Sequence, residues 1–108
     1  MLRGDIWLVD FGQPIGKRPA IIVSRGSQDN GNPLVMVVRT TTKQYHLQYP
    51  YTFEIEPTKE NGLDDPSVAL VYQMFPIRNE DAIHKIGHLE NRHMAQIIAK
   101  LKELLRIS

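Results

Sequence analysis

The chain has 108 residues, no cysteine and a net charge of +1, which excludes a disulfide scaffold, a thiolate nucleophile and any cysteine-held metal centre. Hydrophobic residues make up 42% and charged residues 23%, a globular composition rather than a disordered one, and no apolar run approaches the ~20 residues of a membrane helix. Met1–Asp5 has no signal-peptide character, so the expectation is a soluble cytoplasmic protein with one domain over residues 1–108 and one hydrophobic core. Charge is uneven: residues 1–49 carry +3, 50–79 carry −3 and 80–108 carry +1. A basic N-terminal half can form one positive face, and scattered solvated charge would read the same way.

In chain order, Asp5–Phe11 is rich in strand formers, with Trp7, Val9 and Phe11 on one face and Ile6 and Leu8 on the other. Apolar residues on both faces predict a strand buried on both sides. A loop over Gly12–Lys17 precedes a second strand, Pro19–Ser24, whose proline suits its opening residue. Ser27–Pro33 is a turn cluster, and Leu34–Thr41 is a third strand that turns polar at its end. Tyr51–Glu56 alternates and should keep one face wet. An acidic loop, Pro57–Pro66, leads to a buried strand over Ser67–Met74, and Lys85–Leu89 reads as a short last strand. The period then changes: Met94, Ile97, Ile98, Leu101, Leu104 and Leu105 follow helical spacing, predicting a helix over 91–106 with Asn91 as N-cap. Short strands joined by turns and closed by one helix favour a small antiparallel barrel over a parallel sheet.

Few residues offer chemistry. The histidines (His46, His84, His88, His93) form no convincing ligand set; His84 and His88 are four apart but sit in a strand-like segment. Gly12 and Gly16 match no nucleotide-binding loop, and no aromatic sheet-platform motif for RNA is present. What remains is a polar cluster: Lys17 and Arg18 open the second strand, and Arg39, Thr40, Thr41, Thr42 and Lys43 close the third. If these strands are antiparallel neighbours, Arg18 and the threonines converge. A guanidinium fork with hydroxyl donors suits a phosphate held without a metal. A turn arginine beside a threonine-rich strand end, with no function, fits the same residues.

The ordered set of motifs resembles the MazF/PemK (Kid) family of bacterial toxins. Arg3–Phe11 resembles the family's opening, and Gly16–Ser24 its Gly-x-Arg-Pro-hydrophobic run. Val35–Thr42 resembles its third strand, Phe53–Ile55 its Phe-Glu-Val strand, Ser67–Gln73 its strand ending in glutamine, and Ile86–Leu89 the segment before its C-terminal helix. The resemblance implies a mainly β fold, a small SH3-like antiparallel barrel with a C-terminal α-helix, acting as a homodimer. It implies a toxin of a type II toxin–antitoxin module: a sequence-specific endoribonuclease that cuts single-stranded RNA by 2′-hydroxyl attack, with no metal or other cofactor. It assigns the catalytic roles to Arg18 and Thr41, and points to Lys17, Thr42, Lys43 and Gln73 for RNA binding. Its implied partners are RNA and a cognate acidic antitoxin, with operator DNA reached only through the antitoxin and no membrane. Two alternatives remain open. One is a gyrase-binding toxin of the CcdB type, which shares the fold. The other is a weakened member that only binds antitoxin, suggested by the short 12–17 loop and by Phe75 where the family carries arginine.

Overall fold

The apolar segments pair into one antiparallel sheet of six strands, followed by a helix. A computed structural model describes residues 1–25 and 34–107. The strands are β1 (Asp5–Asp10), β2 (Lys17–Ile22), β3 (Leu34–Thr41), β4 (Thr52–Ile55), β5 (Ser67–Arg78) and β6 (Ala82–His88), and the helix α1 is Asn91–Leu105. Their hydrogen-bonded order is β4-β5-β3-β2-β1-β6, every pair antiparallel. The expected turn cluster at 27–33 lies outside the described residues.

Alternation along the strands puts an apolar layer on each face. Ile6, Ile21, Val38, Phe53, Ile55, Val71 and Leu89 gather on one side with Ile97 of α1. Val9, Ala20, Ile22, Val35, Val37 and Ile77 gather on the other, with Trp7, Phe11 and Phe75 half-buried against them. Both faces of β1 are therefore apolar because both are covered. Each fully buried Val, Ile or Leu contributes about 1.5–3 kcal/mol relative to leaving it in water. Trp7 Nε1 is buried and has no hydrogen-bond partner among the described residues.

The acidic loop that follows β4 is tied to β6 and to the start of α1. Asn61, fully buried, holds that loop: its Oδ1 accepts from the backbone N–H groups of Thr58 and Leu63 at 3.0 Å each, and its Nδ2 donates to Glu56 O at 2.9 Å and Glu90 Oε1 at 3.3 Å. Thr58 Oγ1 donates to Glu90 Oε2 at 2.6 Å, and His88 N–H to Glu60 O at 2.9 Å. Gly62 and Gly87 let the backbones meet: a Cβ on Gly62 would collide with Ile86 O, and one on Gly87 with Asn61 O.

Several boundaries differ from expectation for identifiable reasons. β2 starts at Lys17 rather than Pro19, because Lys17 and Arg18 already pair with Asp10 and Val9 of β1. β5 runs through Pro76 to Arg78, four residues beyond the predicted end. Only its first four residues pair with β4, so Pro76 lies where that side of the strand has no ladder and the missing N–H costs nothing. Val38 pairs with Met74 but Arg39 with Leu70, so Val71–Gln73 bulge out of the β3 ladder. β6 begins at Ala82, not Lys85, and pairs with β1 up to that point. The N-cap of α1 is Glu90 rather than Asn91, which is the first helical residue; Glu90 is fixed by its bonds to Thr58 and Asn61, and its carbonyl accepts from His93 and Met94 at 3.0 Å. The helix ends at Leu105 with Arg106 in the left-handed conformation. Of its apolar stripe only Ile97 is fully buried; Ile98, Leu104 and Leu105 are exposed.

Candidate phosphate-binding site

The antiparallel register of β2 and β3 builds the site. Ala20 stands opposite Arg39 at the last pair of their ladder, and Arg18, two residues before Ala20, and Thr41, two residues after Arg39, lie beyond that pair at the same end of the two strands. Arg18, Arg39 and Thr41 therefore share one face. Thr40, between Arg39 and Thr41, is buried, and its hydroxyl is spent on Pro19 O, to which Oγ1 donates at 2.8 Å. A pocket of about 390 Å³ opens at these strand ends. Arg18, Arg39, Thr41, Thr42 and Lys43 line it, joined by Pro19, Thr40, Tyr45, His46 and Ser67, and no carboxylate is among its lining residues.

Two guanidinium groups thus face one cavity. Arg18 is exposed, and its Nη1 donates to Lys17 O at 2.8 Å, which anchors one nitrogen of the fork. Arg39 is half-buried; its Nε donates to Gln73 Oε1 at 2.9 Å. Burial first, and the Arg18 charge second, press the Arg39 guanidinium below its ordinary pKa. Two like charges in a shared cavity raise each other's energy, and an anion between them relieves it. Thr41 Oγ1 accepts from Lys43 N–H at 3.2 Å, and the hydroxyl's own proton stays free to donate.

Of the residues singled out in the sequence, Arg18, Thr41, Thr42 and Lys43 come together around the cavity. Lys17 is exposed, adjacent to Arg18 on β2 and so directed to the opposite face. Gln73 does not line the cavity; it sits in the β5 bulge and holds Arg39. Sequence reading gave no role to the other lining residues, Arg39 and His46 among them. Arg39 carried a legible signal, since strand alternation puts it in phase with Thr41. His46 carried none: it sits in a 3-10 turn, Gln44–Gln48, that has no periodic pattern.

The fold is shared with solved toxin structures. An endoribonuclease in complex with its cognate antitoxin, from a mycobacterial species, superposes with a TM-score of 0.79 at 21% identity, covering 100% of this chain and 95% of that one. A MazE–MazF complex from Deinococcus radiodurans gives 0.76 at 20% identity over 100% and 97% of the two chains. The Mycobacterium tuberculosis toxin MazF-mt6 gives 0.78 at 20% over 96% and 98%. No curated protein matches the chain by sequence. The family model for PemK-like, MazF-like toxins matches residues 2–105, nearly the whole length. The six-stranded antiparallel fold and that match agree, and the chain belongs to the PemK/MazF family of toxins of type II toxin–antitoxin systems.

Proposed function

We propose that the chain, as one toxin domain over residues 1–108, is an endoribonuclease that cuts single-stranded RNA in the cytoplasm without a metal. The observation that carries this reading is the pocket in which Arg18, Arg39 and Lys43 meet two threonine hydroxyls with no lining carboxylate. Such a cavity binds an anion and suits a phosphodiester better than a cation or a neutral ligand. The 2′-oxygen forms a bond to phosphorus while the bond to the 5′-oxygen breaks, leaving a cyclic phosphate and a 5′-hydroxyl, with net transfer of the 2′ proton to the leaving oxygen. Negative charge grows on the non-bridging oxygens, where Arg18 and Arg39 stabilise it. Thr41 orients the phosphate through its hydroxyl. Thr42 and Lys43 hold the adjoining backbone, Lys17 adds flanking positive charge, and Gln73 contributes by fixing Arg39.

Partners follow from the same reading. The solved relatives include toxins bound to antitoxins, and an acidic antitoxin segment complements a pocket rich in arginine. Ile98, Leu104 and Leu105, exposed on α1, support a homodimer, since exposed apolar side chains gain by burial; light scattering should read about twice the 12.4 kDa chain mass.

The decisive experiment is incubation of the purified protein with a long mixed-sequence RNA in EDTA, followed by sequencing of the fragment ends. Discrete fragments with cyclic-phosphate ends are expected from the wild type, none from Arg18→Ala, and fewer from Thr41→Ala. Undiminished cutting by Arg18→Ala sinks the assignment. A folded wild type that leaves RNA intact but blocks DNA supercoiling by gyrase turns the reading to a gyrase-binding toxin.

A further inference from the structure

Beside the cationic pocket lies a group of aromatic rings that the phosphate chemistry does not use. The 3-10 turn Gln44–Gln48 and the residues after it place Tyr45, His46 and Tyr49 together. Tyr45 and His46 stack with centroids 4.4 Å apart, and His46 meets Tyr49 edge-on at 5.9 Å. His46 Nδ1 lies 3.4 Å from the hydroxyl of Tyr72, which the β5 bulge presents. These rings are open to solvent: Tyr45 is 58% exposed and Tyr49 46%. A groove of about 510 Å³ runs along His46, Tyr49, Tyr51 and Tyr72, and His46 also lines the phosphate pocket, so the two cavities adjoin at that ring.

The groove is built rather than incidental. Tyr51 is held in the left-handed region at φ 60°, a conformation that a bulky residue adopts only when its surroundings impose it. The surroundings do: Val71 N–H donates to Tyr51 O at 3.0 Å and Thr52 Oγ1 to Tyr49 O at 2.8 Å. Its lining is almost wholly aromatic, with Pro50 completing the wall and no carboxylate among the lining residues.

We infer that this aromatic shelf is a base-stacking subsite, on which unpaired bases next to the phosphate held by Arg18 and Arg39 lie against Tyr45 and Tyr49. The inference rests on the RNA reading above. A cationic pocket adjoining exposed rings is the arrangement that holds single strands: charge takes the backbone, and π-faces take bases without regard to sequence. The shelf also favours single over double strands, because a base already stacked in a duplex has no free face to offer.

The test is fluorescence anisotropy with two labelled probes. One is a short 2′-O-methyl oligoribonucleotide of mixed sequence, which cannot be cut by 2′-hydroxyl attack. The other has the same backbone with abasic residues throughout. Wild type should bind the base-bearing probe more tightly than the abasic one. Tyr49→Leu should weaken the base-bearing probe by about fivefold or more, the lower end of what one base–aromatic stack contributes, and leave the abasic probe unchanged; Tyr45→Ala, whose ring also borders the phosphate pocket, should weaken the base-bearing probe more than the abasic one. Tyr45→Phe should restore the wild-type preference, since it keeps the ring. Arg39→Ala should weaken both probes alike. If wild type binds both probes equally, or both tyrosine variants keep the preference while their thermal midpoints confirm folding, the shelf is overturned and the RNA reading stands. If wild type binds neither probe, the RNA reading falls and the shelf falls with it. Tyrosine variants that bind RNA normally but lose an acidic antitoxin peptide would make the groove a protein-docking surface and overturn the inference.

Discussion

Two polar regions of this small fold are built from similar materials and left in opposite states. Around Asn61, every side-chain polar atom is spent inside the molecule: both ends of the amide are bonded, and Glu90 accepts from Thr58 and Asn61. Around Arg18 and Arg39, cations face a cavity lined by no carboxylate, and much of their donor capacity stays open. A saturated buried network gives stability and specifies a closure. An open one gives up stability and waits for a ligand. The difference lies in what surrounds each group: loop backbone offers Asn61 donors and an acceptor at hydrogen-bond distance, whereas Arg18 donates to Lys17 O and Arg39 to Gln73 Oε1 and the rest of each fork faces the cavity.

The contrast can be broken by substitution on either side. The largest effect is expected from Arg18→Ala, which should cut RNA cleavage by about 10²–10³-fold, as for loss of a preorganised charge-stabilising donor. Its urea midpoint should stay close to that of wild type, because Arg18 is exposed; a clearly destabilised variant would mean that Arg18 is structural. Asn61→Ala should do the reverse. It leaves buried donors at Thr58 and Leu63 and an acceptor at Glu56 without partners, at a cost of about 2–4 kcal/mol in urea unfolding, while the specific activity of the remaining folded protein holds. Arg39→Ala should lower cleavage by about tenfold, the loss of one charge-assisted hydrogen bond, and Gln73→Ala by less, with no loss of thermal midpoint from either.

The smallest expected effect is on pH. Burial pushes the Asp5 carboxyl up, but bonds with His88, the Leu2 N–H and Lys85 outweigh it and hold the pKa below its ordinary value. Glu90 behaves likewise: burial raises it, and bonds involving Thr58, its own backbone and Asn61 prevail. Carboxyls lowered by folding add stability above their unfolded pKa values of about 3.9 and 4.3 and lose it as the pH falls through the lower folded values. The thermal midpoint should therefore hold from neutral pH to about 5 and drop below about 4. Asp5→Asn should flatten that drop, and an unchanged profile would show that the Asp5 ion pairs contribute nothing.

How much of this was legible follows from how far each signal reaches along the chain. The strands and the helix are written in alternation and periodicity within a few residues, so their existence was readable, and so was the convergence of Arg18 with the threonines once the two strands were taken as neighbours. Asn61 was not readable, because its partner Glu90 lies 29 residues away and its loop looks merely polar. Pro76 reads locally as a strand end; only the departure of β5 from β4 makes room for it. Asn91 is a good cap by residue type, but the helix begins where Glu90 is already pinned. The link from Arg39 to Gln73 depends on a three-residue bulge, Val71–Gln73, that no local pattern announces.

Trp7 gives the second apolar face an optical handle. It is the only tryptophan in the chain, its indole nitrogen is shut away from water without a partner among the described residues, and it packs in the same apolar cluster as Phe11 and Phe75. Its fluorescence should be blue-shifted in the native protein and move to the red as the sheet opens. No dye or engineered reporter is needed to follow unfolding, or to detect a second chain settling on that face.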